Sequence, residues 1–86
     1  MTKLSYIELI ESKTQFFIDI SHKDFAKFFS PRDFMTQHDF MIAGIASVAM
    51  IDEEIKPEDY REILEAENAE KERFERFINN LERGKL

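Results

Sequence analysis

Eighty-six residues make one domain with a thin core, and a chain without Cys has neither a disulfide framework nor a thiolate-ligated zinc to reinforce it. Twelve Lys and Arg against eighteen Asp and Glu give a net charge of −6, which opposes phosphate and argues against direct nucleic-acid binding. The longest uncharged run, Phe40 to Ile51, falls short of the roughly 20 residues that span a bilayer, and the opening residues lack the order of a secretory signal. The expectation is a soluble, cytoplasmic chain that deepens its core by self-association.

With two Gly and two Pro, β-turn chemistry is nearly absent, and the expected fold class is all-α. Start signals divide the chain into four helices: two short ones, a buried central one and a long charged C-terminal one. Residues 1–55 form the apolar body of this single domain and residues 56–86 its acidic amphipathic arm.

Ser5 with Glu8 matches a capping box and opens a helix to about Ile20, with Tyr6, Ile10, Phe17 and Ile20 on one face. Ser21 and Asp24 repeat the pattern before a short amphipathic turn over Phe25–Phe29. Ser30-Pro31-Arg32-Asp33 is the clearest boundary: Ser30 caps, Pro31 suits the first helical position, and Asp33 complements the positive dipole end. Thr36 with Asp39 offers a second start.

From Thr36 to Asp52 the apolar residues Phe40, Met41, Ile42, Ile45, Val48, Met50 and Ile51 surround the axis, as in a helix covered on most sides. Ala43, Gly44 and Ser47 are small and allow close approach of a neighbouring helix. Gly44 costs about 1 kcal/mol relative to Ala in a helix interior.

Lys56-Pro57-Glu58-Asp59 opens the last helix, which runs to Arg83 with Gly84 as terminator. Its apolar residues form two groups: Tyr60, Ile63 and Leu64, then Phe74, Phe77, Ile78 and Leu81. Between them nothing is larger than Ala, and a heptad continued from Tyr60 and Leu64 puts Glu67 and Lys71 at the seam. Twenty-seven helical residues span roughly 40 Å, whereas a sphere of this chain length is about 31 Å across. A straight helix would then carry its second apolar group beyond the body, to be covered by another chain. A bend near Asn68 would instead fold it home. Tyr60, Leu64, Phe74, Phe77, Ile78 and Leu81 are therefore the candidate partner-binding and oligomer residues, with Ala43, Gly44 and Ser47 as the close-packing site.

Nothing points to catalysis. Ser12, Ser30 and Ser47 have no local base, and there is no phosphate-binding Gly-rich loop. His22 and His38 each stand alone, without a second ligand at helical spacing, and read as solvated or capping residues. Asp52-Glu53-Glu54 lacks the alternating ligands of a calcium loop. No cofactor or metal is expected. The nine Phe are core filling before they are an aromatic-lined pocket.

The leading expectation is a non-enzymatic protein–protein interaction module that forms a homodimer and acts on a further, unidentified protein as an assembly chaperone or adaptor. Small acidic helical chains of this style are often carried by phages or plasmids. The alternative is an acidic, DNA-mimicking inhibitor of a nucleic-acid-binding protein. Pairs such as Glu67 with Lys71 and Glu72 with Arg76 weaken it by neutralising the acidic face locally.

Overall fold

The computed structural model of the chain describes residues 1–21 and 30–84. These residues form three α-helices, α1 (Lys3–Ser21), α2 (Pro31–Met50) and α3 (Pro57–Glu82), each packed against the other two. The expected short turn over Phe25–Phe29 lies outside the described residues. The second start offered by Thr36 and Asp39 is not used, because residues 31–50 are one continuous helix. Thr36 opens nothing: its hydroxyl donates to the Arg32 carbonyl one turn back, 3.0 Å away.

The ends follow local chemistry. At α1 the cap is Thr2, whose Oγ1 accepts the Ser5 N–H at 3.1 Å, so the helix starts before the Ser5–Glu8 pair expected to open it. At α2 the boundary is as expected: Ser30 accepts from the Asp33 N–H, Asp33 accepts from the Ser30 N–H, and Pro31 occupies the first turn. Pro57 opens α3 with Glu58 and Asp59 behind it. Gly84, with φ at 73°, takes the left-handed turn that ends it.

Two apolar clusters fill the interior. The first joins Tyr6 and Ile10 of α1, Ile42, Ala46 and Ala49 of α2, and Ile63 of α3, with Tyr60 and Leu64 packed at its edge. The second joins Phe17, Phe34, Phe74 and Ile78, with Phe77 and Leu81 at its edge. Phe17 meets Phe74 edge-on at 5.9 Å, and Phe74 stacks on Phe77 at 5.8 Å.

The projecting arm is therefore corrected. α3 is one unbroken helix, yet Phe74 and Ile78 are fully buried against their own chain. The body is not spherical: it measures 42 × 19 × 16 Å, and its long axis matches the length of α3. Helices of 19 and 20 residues lie beside one of 26, so the second apolar group is sheltered without a bend and without another chain.

This burial has a consequence in solution. Phe74→Ala removes a fully buried ring and should cost about 3–5 kcal/mol, most of the stability of so small a domain. Chemical denaturation monitored by circular dichroism reads the loss. A loss below about 1 kcal/mol would show that this end of α3 is not packed as described.

Candidate functional site

Between the two clusters every helix places a polar residue on its inward stripe. Thr14 lies between Ile10 and Phe17, His38 between Phe34 and Ile42, and Glu67 and Glu70 between Ile63 and Phe74. Thr14 and His38 are completely enclosed, and both glutamates are nearly so. His38, expected at the surface, is at the centre of the molecule; His22 lies outside the described residues.

The layer is fully paired. Thr14 Oγ1 is 2.7 Å from His38 Nε2, and His38 Nδ1 is 2.9 Å from Asp39 Oδ1. Because the carboxylate accepts, Nδ1 carries the proton, and Nε2 of the neutral ring accepts from the Thr14 hydroxyl. The ring also lies 4.4 Å from Phe74 and edge-on to Phe17. Glu70 binds Arg73 at 2.9 Å and Glu67 binds Lys71 at 3.0 Å, while Arg73 also donates to the Glu11 carbonyl of α1. Among the described residues no buried side-chain nitrogen or oxygen lacks a partner.

Hydroxyl, imidazole and carboxylate in this order have the connectivity of a nucleophile, its base and an orienting group. The setting does not match that role. Thr14 and His38 expose nothing to a substrate, and both sit in helix interiors whose backbone N–H groups are committed to the helix, leaving no oxyanion hole. A cavity of about 540 Å³ between the end of α1 and the start of α2 is lined by Phe17, Asp33, Phe34, Thr36 and Gln37, not by this trio. Among the described residues no three His, Asp or Glu side chains gather as a metal site.

A second polar fastener closes the other end. Asp52 accepts from the Tyr6 hydroxyl at 2.6 Å, from the terminal ammonium at 3.2 Å and from the Glu54 N–H at 2.9 Å. The Tyr6 bond and the Glu54 N–H hold the Asp52 carboxyl below its usual range, and the same Tyr6–Asp52 bond pushes the Tyr6 phenol up to about 12.

The outward surface divides by charge. Every large apolar side chain exposed among the described residues lies in α1, α2 or their flanks: Met1, Leu4 and Phe16, then Phe40, Met41, Val48, Met50 and Ile51. α3 exposes none. α2, expected to be covered on most sides, buries only the stripe Phe34, His38, Ile42, Ala46 and Ala49. Phe40 is 81% exposed and Ile51 75%, and the face from Phe40 to Ile51 carries no charge.

The predicted sites divide in the same way. Phe74 and Ile78 are core, and Tyr60, Leu64, Phe77 and Leu81 are half-buried at the edges of the clusters. The small residues that face the interior are Ala46 and Ala49. Gly44 and Ser47 point outward, Ala43 is half-buried, and a Cβ added at Gly44 would meet nothing within 4 Å. Close packing inside the chain is thus no reason for this glycine. The exposed face itself was missed, although its spacing was visible: 40, 44, 47 and 51 fall on one side of a helix whose other side holds 38, 42, 46 and 49.

The polar layer makes stability depend on pH. Burial holds His38 below its ordinary value, with Asp39 opposing the shift. As pH falls through about 6.5 the unfolded chain takes up a proton that the folded bundle refuses, so stability is complete above that value and declines below it. For one proton the slope reaches at most about 1.4 kcal/mol per pH unit. Denaturation between pH 7.5 and 5.5 should show this decline in the parent chain and a flatter profile in His38→Gln; equal profiles would exclude His38 as the titrating group. Compared with family models, curated proteins and solved structures, the chain matches none of them, and its function is argued from its own residues.

Proposed function

We propose that this chain is a non-enzymatic protein–protein interaction module that self-associates and works as an adaptor or assembly chaperone in the cytoplasm. The observation that carries the proposal is the uncharged, strongly exposed face of α2, centred on Phe40, Met41, Val48 and Ile51. Single apolar residues at a surface need no explanation, but a contiguous group along one helix marks a contact surface. Here the group is aligned on α2, while the solvated charge is concentrated elsewhere, residues 52–86 holding twelve acids and seven bases. An uncharged apolar stretch along one helix of a chain whose charge is concentrated in α3 suits reversible capture of another polypeptide.

The candidate surface thus moves from the end of α3 to the outer side of α2. No helix among the described residues is long and apolar enough to cross a membrane, so α2 is not a spanning segment. The paired polar layer of Thr14 and His38 is enclosed and lines no part of the cavity beside Phe34.

Crosslinking the parent chain and Phe40→Asp in cells of its native host, followed by mass spectrometry, tests the proposal. The parent should yield adducts, with itself or with a protein partner, through residues 40–51, and Phe40→Asp should lose most of them. Equal adducts from both chains, or none from the parent, would overturn the α2 face as the contact surface. Rising salt separates this reading from phosphate mimicry: an apolar contact is retained from 0.1 to 0.5 M salt, whereas charge-driven capture is largely screened.

A further inference from the structure

We infer that the polar layer is a proton-binding device: His38 takes up a proton inside the folded bundle, and the Thr14 hydroxyl permits it by turning from donor to acceptor. The device is independent of the contact surface on α2.

The hydrogen bonds define both states. With the ring neutral, Nδ1 donates to Asp39 and Nε2 accepts from the Thr14 hydroxyl. A proton from water has one place to go, Nε2, and the new N–H then points at Thr14 Oγ1, 2.7 Å away. A hydroxyl has one donor and two acceptor sites, so Oγ1 receives that N–H once its own hydrogen turns aside. The turned hydrogen finds the Ile10 carbonyl one helical turn back, 3.5 Å from Oγ1. Asp39 accepts from Nδ1 in both states. The proton therefore enters by rotation about a single C–O bond and strands no polar atom. An apolar residue at position 14 would leave the buried N–H of the charged ring without a partner.

The charges of the layer favour the same step. Asp39, Glu67 and Glu70 face two cations, Lys71 and Arg73, which leaves one negative charge in excess while the ring is neutral. The imidazolium cancels it. Asp39 on the same helix and Glu70 of α3 favour the proton, Arg73 of α3 opposes it, and α1 presents the Thr14 hydroxyl and the Phe17 ring. The Phe74 ring, 4.4 Å away, is close enough to attract a cation. Burial is the opposing cost, so the folded bundle takes the proton at a lower pH than the unfolded chain does. The loss of stability on acidification then has a floor. Once the ring is charged in the fold, both states hold the proton and His38 takes nothing further from stability.

Nuclear magnetic resonance of ¹⁵N-labelled imidazoles from pH 8 to about 4.5 tests this, with the His38 signals identified by their loss in His38→Gln. At pH 8 they should report the tautomer with the proton on Nδ1. Acid should convert them to imidazolium while the amide spectrum remains that of the folded bundle. Thr14→Val, of nearly the same shape, should lower the proton affinity of His38 about tenfold, because a hydrogen bond to a charged group is the stronger one. Thr14→Ser keeps the hydroxyl and should restore it. A neutral ring with its proton on Nε2, or a ring that titrates only as the amide spectrum collapses, would overturn the inference, and both are read from the parent chain alone. Equal affinity in the parent and Thr14→Val would overturn the part assigned to Thr14.

Discussion

The bundle depends on one match of heights. Thr14, His38 and the Glu67–Glu70 pair occupy inward stripe positions of three different helices, and the packing brings them to one level between the two apolar clusters. A buried hydroxyl or imidazole is costly when alone and nearly neutral when paired. Sliding any helix by one turn would set His38 against Ile10 or Ile63 and strand the partners it leaves. The bond from Thr14 to His38 therefore fixes the register of α1 on α2 in a way that two interchangeable aliphatic clusters would not. In related settings a buried polar group trades some stability for a unique arrangement. Here the trade also makes the fold sensitive to acid, because the ring that holds the register is held neutral by its burial.

The same layer explains the surface. Carboxylates at inward positions of α3 need cations, and Lys71 and Arg73, one turn further along, supply them from the helix edge. Lys3 of α1 pairs with Asp59 and Glu62 of α3, and Arg32 of α2 with Glu82. These charges gather along the seams of α3. What remains on the outer side of α2 from Phe40 to Ile51 is uncharged, and this stretch contrasts with the charged seams of α3.

Much of the fold was legible. Ser30-Pro31 and Lys56-Pro57 announce their helices because a proline at the first turn and a preceding cap act locally. The heptad of α3 puts Glu67 and Lys71 at the seam; Glu67 lies there, whereas the second inward position is Glu70 and Lys71 sits at the helix edge. What it meant was not legible from α3 alone. A gap of nine residues without a large apolar side chain in one helix looks like a break between body and arm; it becomes a layer only when Thr14 and His38 are known to share its height. That is a tertiary fact, although each of those residues interrupts its own apolar stripe in a visible way. The reach of α3 exceeds a sphere of this chain length, but three helices side by side make a rod long enough to cover it. His38 was placed at the surface because isolated histidines are sought as ligands or caps, and its bond to Thr14, 24 positions away, leaves no local trace.

One stretch of the chain fits its own fold less well than the rest. Most positions agree across levels: caps match helix ends, buried polar atoms are paired, and most exposed positions of α3 are charged. On the outer side of α2 the agreement stops. Phe40 and Ile51 lie in water where a charged residue would be more soluble, and Gly44 lowers helix stability where the chain has ample room for a side chain. In a domain this small, departures of that kind tend to coincide with function, because the compensating contact lies outside the chain. Phe40 and Ile51 each lack cover and Gly44 lacks a reason. A single helix laid along them supplies both at once, which is why the three are best understood as one surface and not as three separate accidents.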